Sequence, residues 1–497
     1  MAIKGINHIS PFFLYPSLVY IAISFSFIFF LIYKKKLSKS NFPPGSTGWP
    51  IIGETLAFAF ATWRGTPEKF VNDRKTKYKS DIFQTSLLGD RMVVFCGASA
   101  NKFLFTTGNQ NLTVWLPRSI KETTVYPETL EKNSMGDSAY LLQASRFIRD
   151  GLTAETLKYY IPLMDSMAQD HLQQSWFPHK QVKVVQLTKI FIFSLACRLF
   201  LNITDPQLVK RLFDPFPVLV TGIVSVPVNL PGTAFNKAVK SGKKIRDELL
   251  AYIKKRRIEI NKDINQEYKD LLSRALIALG DGDGDGKDLE EKEIVNYIMA
   301  LLVASYDTTS TSLTFLVNYL AEYPHVYKEV LREQMEIAKS KGPGELLNWG
   351  DIQKMKYSWR ACCESMRLSP PAQGAFREVT NDFTFLGFTI PKGWKLHWTV
   401  YSTHKDPKYF PNPEKFDPSR FEGNGPEPYS FVPFGGGPRM CPGKEYARFE
   451  ILVFIHNLVT KFEWEKIIPD EKIIYTPFAT PANGLPVRLH PHHQHSV

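Results

Sequence analysis

A single cysteine inside a glycine-rich loop is the strongest chemical signal in this chain. Cys441 lies in Phe434-Gly-Gly-Gly437-Pro-Arg439-Met-Cys441-Pro-Gly443, and an amphipathic stretch bearing Ile451, Leu452 and Ile455 follows it. Glycines let backbone approach a flat ligand closely and tolerate positive φ. A cysteine at a helix N-terminus sits near unpaired N–H groups and the positive end of the helix dipole, so a lowered pKa and thiolate character are expected. Arg439 offers a guanidinium that could pair with a carboxylate of the ligand. Taken alone, such a loop also suits a purely structural turn.

Two further groupings carry chemistry. Glu364 and Arg367 stand three apart on a predicted helix, hence on one face, and Arg420 follows in Phe416-Asp-Pro-Ser-Arg420-Phe421. An i,i+3 pair of this kind is commonly a surface ion pair of little energetic weight. Ala304-Ser305-Tyr306-Asp307-Thr308-Thr309 sets an acid beside two alcohols within a long predicted helix. Such hydroxyls either bond back to carbonyls one turn earlier or face a site where protons must be moved.

Together these residues resemble the cytochrome P450 family. Phe434, Gly437, Arg439, Cys441 and Gly443 match its haem-binding loop in full. The resemblance implies a mainly α fold with a minor β-sheet region and haem b held by Cys441 as axial thiolate, which pushes electron density onto the iron. It implies a buried bracing network for Glu364, Arg367 and Arg420. It also implies oxygen activation at Thr308, with Asp307 relaying protons in a segment where helical hydrogen bonding is interrupted. Ser305 departs from the usual glycine there. Arg149 and Arg377 are the candidates for the haem propionates, although Ser145 stands where the family commonly has a Trp four residues before the first of them.

The elements that must position these groups are readable from periodicity. Helical patterns run over 155–175, 184–200, 240–262, 290–323, 325–340, 351–368 and 443–461, and strand-like runs over 91–95, 383–390 and 394–399. A Pro/Gly-rich meander spans about 410–442. The uncharged stretch from Pro11 to Tyr33 is long enough to cross a bilayer. The basic flank Lys34, Lys35, Lys36 and Lys39 marks the cytosolic side. A cleaved signal peptide would carry its charge before the apolar run and end in small residues. The expected organisation is a luminal N-terminus 1–10, a transmembrane anchor 11–33, a basic and Pro-rich hinge 34–50, and a cytosolic catalytic domain 51–497. The sequons at Asn111 and Asn202 would then stay unmodified. Asp281–Gly286 imitates the start of a calcium loop, but Lys292 stands where a bidentate Glu is needed, so a surface loop is expected.

The chain has 497 residues, of which 44% are hydrophobic and 22% charged, which excludes a disordered chain. Its net charge of +12 suits an acidic partner or an anionic membrane face, with no nucleic-acid signature. Five scattered cysteines with no CxxC pair argue against disulfides or structural zinc.

Segments Glu333–Lys341, Pro391–Lys395, Tyr401–Lys405 and Phe421–Pro426 resemble plant triterpenoid oxidases of the beta-amyrin 28-oxidase kind. That likeness implies a rigid apolar substrate such as a pentacyclic triterpenoid, with O2 as co-substrate. Electrons would come from NADPH through NADPH-cytochrome P450 reductase, on the endoplasmic reticulum membrane. It places Ala304, Gln373, Gly374, Ala375, Ala479 and Thr480 around the substrate. Other terpenoid skeletons (dammarane, sterol or diterpene) remain alternatives. So do a reductase-independent haem-thiolate isomerase or dehydratase, relatives of which tend to lose the acid–Thr pair, and a haem sensor.

Overall fold

The computed structural model describes residues 41–50, 52–87, 89–132, 145–149, 151–262, 268–279, 285–475 and 478–492, together with Ser24. The expected luminal segment and the anchor around Ser24 lie outside the described residues, as do residues 34–40 of the hinge and residues 281–284 of the calcium-like run.

The fold is mainly helical, with a minor sheet region, as expected. The longest helix, Asp285–Glu322, has 38 residues, about 57 Å at 1.5 Å per residue; it is called the oxygen helix below. It crosses Val184–Leu201, Ala234–Lys262 and Lys444–Val459, the last called the cysteine helix. Ala154–Ser175 also packs on the cysteine helix. Leu302, Leu313, Val317, Phe449, Val453 and Phe454 are buried in the one large apolar cluster these helices share. Among the described residues Val184–Leu201 alone is long and apolar enough to cross a membrane. Phe191, Ile192, Phe193 and Phe200 are buried in that cluster, so it is a core helix.

Beside the helices lies a five-stranded sheet in the order Ile82–Leu87, Asp90–Phe95, Lys395–Thr399, Gly374–Val379, Leu112–Val114. Asp90–Phe95 runs parallel to Lys395–Thr399, with Met92 opposite Lys395, and the other pairs are antiparallel. This sheet has its own apolar cluster around Val93, Phe95, Leu396 and Trp398.

Two elements differ from their predicted form. Residues 383–390 are not one strand but a hairpin of Phe383–Phe385 and Phe388–Ile390, folded at Leu386 and Gly387, both at positive φ. The run 351–368 is broken at Met355, whose ψ of 55° ends Trp349–Lys354 before Lys356–Leu368 begins. The latter is called the bracing helix below. The 410–442 meander holds only two short 3-10 turns, Pro418–Phe421 and Gly437–Arg439.

Candidate active site

The oxygen helix is oriented by the side it buries. Tyr306 is caged edge-on by Phe193, Phe213 and Phe216, with ring centroids 6.1, 6.2 and 4.9 Å away. Each such pair adds about 0.5–1.5 kcal/mol beyond burial. Ala304 and Thr308, one turn apart, share the face turned away from Tyr306. Ala304 is exposed and Thr308 half-buried, so this face of the helix is accessible.

The helix is continuous through this segment, so the interruption implied by the family likeness is not seen. The hydroxyls bond back instead. Thr308 donates to the Ala304 carbonyl at 2.6 Å, Ser305 to Leu302 at 3.3 Å and Ser312 to Thr308 at 3.0 Å. With its proton so engaged, the Thr308 oxygen keeps its lone pairs for an incoming donor.

Asp307 is 4% exposed and meets Lys189 Nζ at 2.6 Å. Burial pushes its carboxyl pKa up, and the Lys189 ammonium opposes that rise. Lys189 also lies 5.0 Å from the centre of the Tyr306 ring. Sequence reasoning missed Lys189. The available signal was a lone lysine in the first half of the otherwise apolar run Val184–Leu201.

The loop before the cysteine helix is folded against the sheet. Gly437 has φ +65°, and a Cβ there would lie 2.0 Å from the Phe105 carbonyl oxygen. A Cβ on Gly436 would meet the Phe105 ring at 2.6 Å. The Cys441 amide donates to the Phe434 carbonyl at 2.9 Å, closing the loop so that the sulfur is exposed. Surrounding protein nevertheless pushes the thiol pKa up, with the Gly443 amide opposing. This corrects the expected lowering. The helix begins at Lys444, three residues on, and desolvation outweighs its end. Thiolate character therefore comes with a coordinated metal, which deprotonates a ligating thiol outright.

Arg377, on Gly374–Val379, and Arg439 line one small cavity with Phe105, Trp398 and Gly436. Arg439 donates to the Leu112 carbonyl at 2.7 Å, and Arg377 to its neighbour Phe376 at 2.8 Å. Burial and the like charge of Arg439 pull the Arg377 pKa down to about 10. Two half-buried cations that repel one another suit an anionic ligand with two carboxylates. A glycine cradle, an accessible thiol and this guanidinium pair fit haem b. Arg149 is exposed, and no described contact ties it to that pair.

Glu364, Arg367 and Arg420 do come together. Arg367 donates to both Glu364 oxygens at 2.7 and 2.8 Å, and to the His404 carbonyl at 2.8 Å. Arg420 reaches Glu364 at 3.2 Å and the Asn412 carbonyl at 3.0 Å. Glu364 and Arg367 are fully buried, so this is no surface pair. It ties the bracing helix to the meander that leads to Cys441.

Of the expected substrate residues, Gln373, Gly374, Ala375 and Thr480 are half-buried. Ala479 is buried in a short ladder opposite Tyr475.

The cytochrome P450 family model matches residues 43–486. The chain is 55% identical over 488 residues to a beta-amyrin 6-beta-monooxygenase of Solanum lycopersicum, covering 97% of this chain and 99% of the relative. It is 52% identical to a beta-amyrin 28-monooxygenase of the same plant, covering 96% and 99%. A cyanobacterial cytochrome P450 solved with retinoic acid superposes with a TM-score of 0.77 at 30% identity, covering 91% of this chain and all of the other. The conclusion of fold, loop and likeness together is that this chain belongs to the cytochrome P450 family and is a haem-thiolate monooxygenase.

Proposed function

We propose that this enzyme oxidises a pentacyclic triterpenoid such as beta-amyrin, at C-28 or at a ring carbon, in plant triterpenoid biosynthesis. The observation that carries the reading is identity above one half, across nearly the whole length, to enzymes named for that substrate. Bound haem b would supply the redox chemistry, using O2, two electrons and two protons to place one oxygen atom on the substrate and release the other as water.

The chain's residues do the rest. Cys441 would hold the iron through its sulfur, and Arg377 and Arg439 would neutralise the propionates. The accessible face of Ala304 and Thr308 leaves room for a rigid apolar skeleton, which Gln373, Gly374, Ala375 and Thr480 would flank. Thr308 offers its hydroxyl oxygen to a proton, and Asp307 and Lys189 form the charged pair behind it that can supply one.

Electrons from NADPH would arrive through NADPH-cytochrome P450 reductase. The chain's charge of +12 suits an acidic docking face. The uncharged stretch 11–33 and its lysine flank support a single-pass anchor in the endoplasmic reticulum with the catalytic domain in the cytosol. Exposed Trp49, Leu56 and Trp63, and exposed Val226 and Leu230 on a second segment, add apolar surface suited to a bilayer.

The test is product analysis in yeast that makes beta-amyrin and carries a plant reductase. A product heavier by one oxygen, or with a methyl turned to carboxyl, is expected, and NMR would name the carbon. Unchanged beta-amyrin beside a normal carbon monoxide spectrum would refute the substrate and leave the haem chemistry intact.

A further inference from the structure

The face of the five-stranded sheet that meets the glycine loop buries an indole. In the ladder between Gly374–Val379 and Lys395–Thr399, Ala375 stands opposite Trp398 and Arg377 opposite Leu396. Side chains two apart on a strand share a face, so Trp398 and Arg377 are diagonal neighbours on it. Trp398 is 5% exposed, and its N–H has no hydrogen-bond acceptor among the described residues. Its ring stands edge-on to Phe105, centroids 5.3 Å apart. Ring atom Cζ2, on the same edge of the indole as Nε1, is the nearest to a Cβ built on Gly435, at 3.6 Å. The nitrogen-bearing edge is therefore turned toward the loop that leads to Cys441.

A buried N–H without an acceptor forfeits its hydration, and phenylalanine would fill the same apolar cluster without that loss. Trp464, equally buried, shows the ordinary solution: its indole N–H donates to the Val317 carbonyl at 3.0 Å. Trp176 also keeps an unmatched indole N–H, but it lies within the helical apolar cluster. Trp398 instead lines the small cavity shared by Arg377, Arg439, Phe105 and Gly436. Leu112 lines it too, and its carbonyl already accepts from Arg439. Two guanidiniums and an indole bring donors only. Such a set is completed by an acceptor oxygen that carries negative charge.

We propose that Trp398 is a third anchor for the haem carboxylates, its indole N–H donating to a carboxylate oxygen held between Arg377 and Arg439. The proposal rests on the reading of those two arginines as the carboxylate partners. The guanidiniums supply charge, and the indole supplies direction. A flat ring wedged between Phe105 and the glycine loop offers one N–H along one line, which fixes where the carboxylate lies.

The test uses the full-length, haem-loaded protein and its variants Trp398→Phe, Trp398→His and Arg377→Leu. The first readout is the rate of haem loss to apomyoglobin. The second is the ultraviolet resonance Raman difference between parent and Trp398→Phe, which isolates one indole among 9 and reports whether its N–H is hydrogen-bonded. The third is the bending mode of the haem carboxylates in the visible resonance Raman spectrum. None of these needs substrate or turnover. Trp398→Phe keeps an aromatic ring in the cluster and removes the donor. It should lose haem about 10- to 150-fold faster, the size of one hydrogen bond to a charged group, and its carboxylate mode should shift. The difference band should be that of a hydrogen-bonded indole.

Parent-like haem loss in Trp398→Phe would overturn the proposal whatever the indole band, because the acceptor would then be a water and not the carboxylate. A free-indole band would overturn it too, and so would fast loss with an unshifted carboxylate mode, the mark of lost packing alone. If Trp398→Phe loads no haem, Trp398→His, which restores a ring N–H, decides: recovered haem binding sustains the donor role, and a second failure overturns it. Fast loss in Trp398→Phe beside parent-like loss in Arg377→Leu would fail the guanidinium reading and leave Trp398 as the donor to the carboxylate.

Discussion

Replacing Lys189 with Met removes the cation that faces Asp307 while keeping a long apolar stem over the Tyr306 ring. The contact is 2.6 Å, and Asp307 is 4% exposed. Burial is the largest influence on Asp307 and raises its pKa; Lys189 holds the rise back. A nearby cation favours the ionised carboxylate, so Lys189→Met should raise the Asp307 pKa further. A raised carboxyl makes the folded state bind more protons than the unfolded chain between the unfolded value of about 3.9 and the folded value. Stability is then full at low pH and declines as pH rises through that window. The deficit of Lys189→Met against the parent should therefore open above the parent's own Asp307 midpoint and level off at about 3 kcal/mol above the variant's, the low end for breaking a buried ion pair because Lys189 is partly exposed. Thermal unfolding of parent, Lys189→Met, Asp307→Asn and the double variant at several pH values measures this. Asp307→Asn should erase the pH-dependent part. A Lys189→Met deficit that is constant with pH would refute the reasoning, because it would mean that the pair does not set Asp307.

Three further outcomes follow from the same geometry. Glu364→Gln should cost about 3–5 kcal/mol by chemical denaturation, because it leaves the buried Arg367 without its carboxylate, and the yield of haem-loaded protein should fall with it. Arg377→Leu should lose haem to apomyoglobin about 10- to 150-fold faster, one charge-assisted contact being worth roughly 1.5–3 kcal/mol, with the position of the carbon monoxide band unchanged. Ala304→Phe fills the exposed position one turn before Thr308; it should abolish the substrate-induced spectral shift and leave the carbon monoxide spectrum intact.

The helices were legible in the sequence because each carries a wide apolar stripe. Ala154–Ser175, Val184–Leu201 and the oxygen helix start and stop within about five residues of their predicted ends. The bracing network and the haem loop were legible through the family resemblance, since an i,i+3 Glu–Arg pair and a glycine-rich loop each have common other uses when taken alone. What escaped was set by long-range contact. Leu112–Val114 and Gln181–Lys183 are three-residue strands that exist only through partners far along the chain, at Arg377–Val379 and Pro486–Arg488. No local period announces such strands. The hairpin at 383–390 was read as one strand because its turn, Leu386-Gly387, carries only one conventional turn residue. The rise in the Cys441 pKa depends on how much protein surrounds the loop, which sequence does not display. The Lys189–Asp307 pair joins residues more than a hundred apart, and only the packing of helices reveals it.

The most direct test is the reduced carbon monoxide difference spectrum of the purified protein and of Cys441→Ser. We expect the thiolate-type Soret band in the parent protein. In Cys441→Ser that band should be lost, along with NADPH-driven oxidation of beta-amyrin, even where haem is still retained between Arg377, Arg439 and the glycine loop. A thiolate-type band that persists in Cys441→Ser would place the axial ligand elsewhere and contradict the assignment of this site.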